Sequence, residues 1–310
     1  MRIGVVIDAA CDLPRSFIDQ HGIEVLPIRV HFGDREFIDV RDANATMAFY
    51  RHYLANKEVV AETEPLSADE IRDLFLDQYV LKYDHVLVIT VTSSRSPIFE
   101  NATKASFAIL SGYKERRKQA NVEGPFSLRV LDSKTLFTGQ GVLVYEALRL
   151  LKEGNLSFDQ LRPAVESFTQ YVHAYLVPED LVYVRTRARA HGDRSVSWLG
   201  YQLGTLLDIK PILQAYRGQT GPVAKVHGFN AAVAQMFDMA VTEIKRGLRT
   251  NVICMSYAGN PDVIRQHPAY ANFAKVAATH GVELLLTVMS ITAGINMGPG
   301  SFAIGYAAQE

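Results

Sequence analysis

Residues His85-Val86-Leu87-Val88-Ile89-Thr90-Val91 form a nearly unbroken apolar, β-branched run, and the five residues that follow are Thr92-Ser93-Ser94-Arg95-Ser96. A run of this kind reads as a strand buried on both faces, which requires a parallel sheet covered by helices. A helix-like segment follows from Pro97 to Leu110. In open α/β sheets, ligands lie beyond the carboxyl ends of strands, where helix N-termini offer free N–H groups to anions. The Thr92–Ser96 loop is therefore the first candidate for gripping a small negative group.

The rest of the first half repeats the pattern. Ile3–Ile7, Glu24–His31 and Ser127–Leu131 read as further strands. Thr46–Leu54, Ser67–Asp77 and Gly141–Lys152 read as helices, with Ser67 and Glu70 placed as a capping box before Ile71, Leu74 and Phe75. This alternation predicts a Rossmann-like parallel sheet over residues 1–155, with Lys152-Glu153-Gly154-Asn155 as the boundary. Residues 156–310 predict a mixed α/β domain. Its helices are Ser157–Tyr171, Val196–Leu207, Asn230–Arg246 and Ala269–His280, and its strands are Tyr175–Val177, Val252–Ser256, Glu283–Val288 and Phe302–Tyr306. No long linker separates the two, so a cleft between closely packed domains is the expected ligand position.

Charge and cysteine usage narrow the function. With 32 basic against 33 acidic residues, nothing suggests a nucleic-acid surface. Asp8 ends the first apolar run too early for a signal peptide, and no stretch reaches the ~18 apolar residues of a membrane span. Cys11 and Cys254 are the only cysteines and lack metal-ligand spacing, so free thiols in a reducing cytoplasm are expected.

Several other segments carry polar chemistry. Asp8-Ala9-Ala10-Cys11-Asp12-Leu13-Pro14 follows the first strand, with Asp12 placed to cap a helix opening near Pro14. Thr63-Glu64-Pro65-Leu66-Ser67 leads into a helix and leaves Thr63 free for other work. Asp132 closes the Ser127 strand, where it serves a turn or orients a ligand. Gly294-Ile295-Asn296-Met297-Gly298-Pro299-Gly300 calls for an unusual backbone path, as either a turn or a close approach to a ligand. Arg185 to Arg194 holds four arginines and His191, which is either a solvated run or a surface for phosphate or carboxylate. No nucleophile elbow, phosphate loop, zinc helix or paired-cysteine motif occurs, and Gly139-Gln140-Gly141 lacks the third glycine of a dinucleotide loop.

In order along the chain, these segments resemble the DegV family of bacterial fatty-acid-binding proteins. The family's Asp-Ser-x-x-Asp-Leu-Pro appears as Asp8 to Pro14, its Pro-Leu-x-Val-x-Phe as Pro27 to Phe32, and a following aspartate as Asp39. Its Thr-Ser-Gln-Pro-Ser matches Thr63 to Ser67, and its Ser-Ser-x-Leu-Ser-Gly-Thr-Tyr-x-x-Ala matches Thr92 to Ala102. Asp132-Ser133 retains an Asp-Ser pair, and Ala190 to Arg194 stands at the Lys-Gly-Gly-Arg region. The nearest match is Leu199-Gly200 through Leu213, and Gly294 to Gly300 stands for Gly-x-His-x-Gly-Pro-Gly.

The resemblance implies two α/β domains with one long-chain fatty acid between them and no catalysis of their own. Ser93 would be the main carboxylate donor, with Thr63, Ser94, Thr92, Ser96 and Asn296 around it. Arg194 and Arg189 would face a partner, a fatty acid kinase in many family members. No cofactor or metal is implied. This chain departs from the family at Ala9, at Glu64, at Pro97 in place of glycine and at Asn296 in place of histidine; asparagine still donates but carries no charge. Two other readings remain at this point: a small-molecule transferase using the loop as an anion hole, and a regulatory member without an acyl ligand.

Overall fold

The computed structural model describes residues 2–52, 61–190 and 208–309. Three sheets organise it. The first is parallel, in the order β2-β1-β6-β7, built from β1 (Ile3–Asp8), β2 (Glu24–Leu26), β6 (His85–Thr90) and β7 (Ser127–Asp132). The apolar run that predicted a doubly covered strand is central in it, and Val86 to Ile89 are fully buried. Helices α1 (Arg15–Gln20), α2 (Ala43–His52), α3 (Ala68–Leu74), α4 (Ile98–Ala108), α5 (Tyr113–Gln119) and α6 (Thr138–Glu153) belong to this half. Ser67 and Glu70 form the expected capping box at the start of α3. The chain is α/β, as its alternation predicts, with a parallel sheet in the N-terminal part and a mixed sheet in the C-terminal part.

The single strand expected over Glu24–His31 is two strands. Pro27 lacks an N–H and breaks the ladder, so β2 pairs with β1 while β3 (Ile28–Phe32) enters a separate antiparallel sheet in the order β4-β3-β5. Its partners β4 (Arg35–Asp39) and β5 (Ala61–Pro65) are short and rich in charged side chains. They give no apolar signal in the sequence.

The C-terminal sheet runs β10-β9-β8-β13-β11-β12. It comprises β8 (Val172–Val177), β9 (Ile209–Tyr216), β10 (Gln219–His227), β11 (Val252–Tyr257), β12 (Glu283–Val288) and β13 (Phe302–Ala307). Only β11 and β12 are parallel; the other pairs are antiparallel. Helices α7 (Phe158–Phe168), α8 (Leu181–Ala190), α9 (Phe229–Arg246), α10 (Tyr270–Thr279) and α11 (Ile291–Met297) complete this half. The helix expected over Val196–Leu207 lies outside the described residues.

Helix α6 joins the two halves. A side chain at Gly305 of β13 would meet the Thr138 and Gly139 backbone at 2.7–2.8 Å, and one at Gly141 would meet Leu13 and Cys254. Gly139 and Gly141 therefore serve close helix–sheet packing, not a dinucleotide. One continuous apolar cluster also crosses between the halves. It includes Ala10, Val30, Leu66, Val91 and Ile98 from the first, and Leu176, Leu213, Ile295 and Met297 from the second.

Candidate functional site

The Thr92–Ser96 loop leaves β6 at the carboxyl edge of the parallel sheet. Its entry is held from below: Val91 N–H donates to the Asp8 carboxylate at 2.6 Å, and Ala10 N–H to the other Asp8 oxygen at 3.0 Å. Burial pushes the Asp8 carboxyl up to about 6, although these two backbone donors and Gln140 oppose the shift. The loop is also tied to the one after β7, through Thr92 N–H to the Thr135 carbonyl and Ser133 N–H to the Thr90 carbonyl, both 3.1 Å.

Within the loop, Thr92 is buried while Ser93, Ser94 and Arg95 are exposed. Ser93 donates its hydroxyl to Asp132 at 2.6 Å and its N–H to the second Asp132 oxygen at 3.3 Å; that oxygen also takes Lys134 N–H at 2.8 Å. Ser94 donates its hydroxyl to the Gly218 carbonyl at 2.6 Å, and Thr92 Oγ1 lies 3.2 Å from Ser94 Oγ. Ser94 N–H has no acceptor among the described residues. Ser96 Oγ accepts Ile98 N–H at 3.3 Å across Pro97, which offers no N–H of its own at the start of α4. A hydroxyl has one proton and a freely turning O–H, so Ser93 and Ser94 can redirect theirs to an incoming acceptor.

Thr63 on β5 and Asn296 on α11 lie on two elements that contact each other. Thr63 is opposite Val30 in the β3–β5 ladder and shares its half-buried inner face. Glu64 is on the other face, 2.8 Å from His31 Nε2, so its charge points away from Thr63. Helix α11 packs against β5, and Asn296 on it donates to the Thr292 carbonyl at 2.7 Å. Val91 and Ile98 at the loop, Val30 opposite Thr63, Leu66 after β5, and Ile295 and Met297 beside Asn296 belong to the one apolar cluster. Arg189 lies on α8, but its side chain and all of Arg194 fall outside the described residues. An open cleft of about 680 Å³ lies elsewhere, lined by Glu179, Asp208, His227 and Tyr257; its carboxylates disfavour an anion. Among the described residues, no three His, Cys, Asp or Glu side chains are grouped to hold a metal ion.

A second polar cluster lies between β1, the β3–β5 sheet and α11. Asp12 is not the cap of α1: Pro14 occupies that position with no side-chain bond. Asp12 instead accepts Ser256 Oγ at 2.6 Å and Ser290 N–H at 2.9 Å, with Arg41 Nη1 at 3.4 Å. Burial pushes its carboxyl up, and the Arg41 charge is the main opposition. Arg41 Nη2 donates to the Leu13 and Val288 carbonyls, whereas Nε and Nη1 have no aligned acceptor among the described residues. Asp39 accepts Thr292 N–H and Oγ1, both at 2.9 Å, and Arg41 N–H at 3.2 Å. Tyr50 donates its hydroxyl between the Met289 and Ser290 carbonyls. The Gly294–Gly300 segment is thus partly helical: Gly294 is inside α11, where a Cβ would stand 2.0 Å from the Tyr50 hydroxyl, and only Gly298 and Gly300 have positive φ.

The model of the DegV family, described as an uncharacterised protein family, matches residues 2–309. The chain belongs to the DegV family. A DegV domain-containing protein of Xanthomonas axonopodis pv. citri is 47% identical over 309 residues, covering 100% of this chain and 98% of that one. Among solved structures, DegV of Bacillus subtilis, described as a fatty acid binding protein, superposes with a TM-score of 0.75 at 19% identity, covering 100% of both chains. A stearic-acid-binding protein of Eubacterium ventriosum superposes with a TM-score of 0.76 at 18% identity, covering 98% of this chain and 97% of that one.

For this DegV family member, sequence reasoning singled out the hydroxyl loop, Thr63 and Asn296 but missed three partners. Asp132 was noted without its bond to Ser93, because nothing in the sequence sets the register between the loops after β6 and β7. Arg41 and Gly218 carry no motif at all. A non-glycine residue at φ 63°, as Arg41 is, leaves no trace in a sequence.

Proposed function

We propose that this protein binds a long-chain fatty acid, with the carboxylate at the Thr92–Ser96 loop and the acyl chain in the apolar cluster between the two main sheets. The observation that carries this reading is that apolar neighbours of the hydroxyl loop (Val91, Ile98), of Thr63 (Val30) and of Asn296 (Ile295, Met297) belong to one buried apolar cluster, which spans both halves. A carboxylate taken from water needs several donors. Ser93 and Ser94 hydroxyls and the Ser94 N–H offer three, and Thr63 and Asn296 are proposed to add polar contacts. A 16-carbon tail at about 0.8 kcal/mol per buried methylene contributes on the order of 10 kcal/mol before ordering costs. The structural relatives described as fatty-acid-binding support the same reading. In it, the protein is a non-catalytic cytoplasmic carrier that presents the acid to a partner such as a fatty acid kinase, and the arginines around Arg189 and Arg194 meet that partner.

Mass spectrometry of organic extracts from freshly purified protein tests the proposal. A stoichiometric acid of roughly 14–18 carbons is expected, with at least a tenfold loss of fatty-acid affinity in Ser93→Ala. Protein that is empty and also rejects added fatty acids would overturn it.

A further inference from the structure

The β9–β10 hairpin of the C-terminal sheet reaches across to the hydroxyl loop of the N-terminal half. Tyr216 and Gln219 pair directly, leaving a two-residue turn of Arg217 and Gly218 with φ of 50° and 79°. Two positive φ values in a two-residue loop are the type I′ geometry that matches strand twist. Two backbone contacts dock this turn. Gly218 N–H donates to the Lys134 carbonyl at 2.7 Å, and the Gly218 carbonyl accepts the Ser94 hydroxyl at 2.6 Å. The docked carbonyl is an acceptor placed on a donor that the proposed ligand also requires.

We infer that the Arg217–Gly218 turn is a gate over the candidate loop: its carbonyl takes the Ser94 proton that a ligand carboxylate would take, so full head-group coordination by Ser94 requires the turn to release that proton. This rests on the reading of Thr92–Ser96 as the carboxylate-binding loop. Ser94 has one hydroxyl proton and cannot donate it twice. The turn is also the part of the hairpin best able to yield. Below it, Tyr216 is anchored by its hydroxyl to the Gln170 carbonyl at 2.8 Å and by its ring against His173 at 4.3 Å. Beyond it, β10 is an edge strand whose register shifts between Pro222 and Ala224. The tip therefore moves about the Tyr216 anchor while the sheet stays intact. Gly218 suits this role because glycine alone adopts several turn conformations at little cost.

Amide hydrogen exchange at Gly218, followed by NMR with and without saturating oleate, tests the gate. Oleate is expected to speed Gly218 exchange at least fivefold, because the bond to the Lys134 carbonyl opens. Unchanged or slower exchange in protein that demonstrably binds oleate would sink the gate and leave the ligand reading standing. A Gly218→Val variant gives a second readout, since a β-branched residue resists the left-handed conformation. With its fold verified by circular dichroism, it should bind a fluorescent fatty acid at least fivefold faster than wild type. An unaltered rate counts against the gate. If neither protein binds the probe, the ligand reading fails and the gate goes with it.

Discussion

The Asp12–Arg41–Asp39 cluster and the Thr92–Ser96 loop both gather polar groups near the carboxyl edge of the parallel sheet, but in opposite surroundings. Asp12, Asp39 and Arg41 are 3% exposed or less. Their partners are backbone groups of Leu13, Val288 and Ser290 and the side chains of Ser256 and Thr292. Those partners are fixed by the fold and cannot be exchanged. In the loop, Ser93 and Ser94 are exposed, and each holds a single rotatable hydroxyl bond to a neighbouring loop or hairpin. The first arrangement locks elements together, because an unpaired charge there is costly. The second can trade one acceptor for another, which a binding site requires.

The strongest test of this contrast is Arg41→Met. Removing the cation leaves Asp12 buried without its charge partner, so urea unfolding should show a loss of about 3–5 kcal/mol. A loss below about 1 kcal/mol would mean the cluster is not a lock. Next in size is Gly294→Ala, whose new methyl group must displace the Tyr50 ring from α11. The expected destabilisation is about 2–3 kcal/mol, and a double-mutant cycle with Tyr50→Leu should show strong coupling.

A smaller effect separates by pH. The Asp8 carboxyl titrates near 6 when folded, above its ordinary 3.8, so the folded state binds the extra proton. Stability from this group is therefore complete below about pH 4 and lost as pH rises through about 6, on the order of 3 kcal/mol in all. Glu70, held down to about 2 by Arg29, and Asp84, held below the usual range chiefly by Arg2, act with the opposite sign. Their contribution is present above about pH 4 and is lost as pH falls through the folded values, about 2 for Glu70. Subtracting the unfolding midpoints of Asp8→Asn from those of wild type between pH 4 and 7 isolates the Asp8 slope; a flat difference would show that Asp8 is not buried as described. The smallest effect belongs to Glu64→Gln. Glu64 shares the outer face of the β4-β3-β5 sheet with His31 of β3, so stability should change by less than about 0.5 kcal/mol and fatty-acid affinity should stay the same. A clear gain in affinity would place Glu64 at the head group after all.

Legibility followed the range of the interactions. The β6 strand, the capping box at Ser67 and the glycines beside Asn296 were readable because burial, capping and positive φ act over a few residues. The β3–β5 sheet was not, since β4 and β5 carry charges on short strands and Pro27 splits an otherwise continuous apolar run. Asp12 read as a cap because capping is the commonest local use of an aspartate before a proline, and its bonds to Ser256 and Ser290 span more than 240 residues of chain.

The sequence by itself determined that the chain forms a covered parallel sheet, where a hydroxyl loop would leave it and which family it resembles. These follow from periodicity, composition and ordered motifs, all written in neighbouring residues. Only the tertiary structure decided which acceptors hold the Ser93 and Ser94 protons, that Arg41 closes a buried cluster and that a C-terminal turn reaches an N-terminal loop. Each of those depends on register between distant segments, and register is set by the packing of whole sheets and helices together.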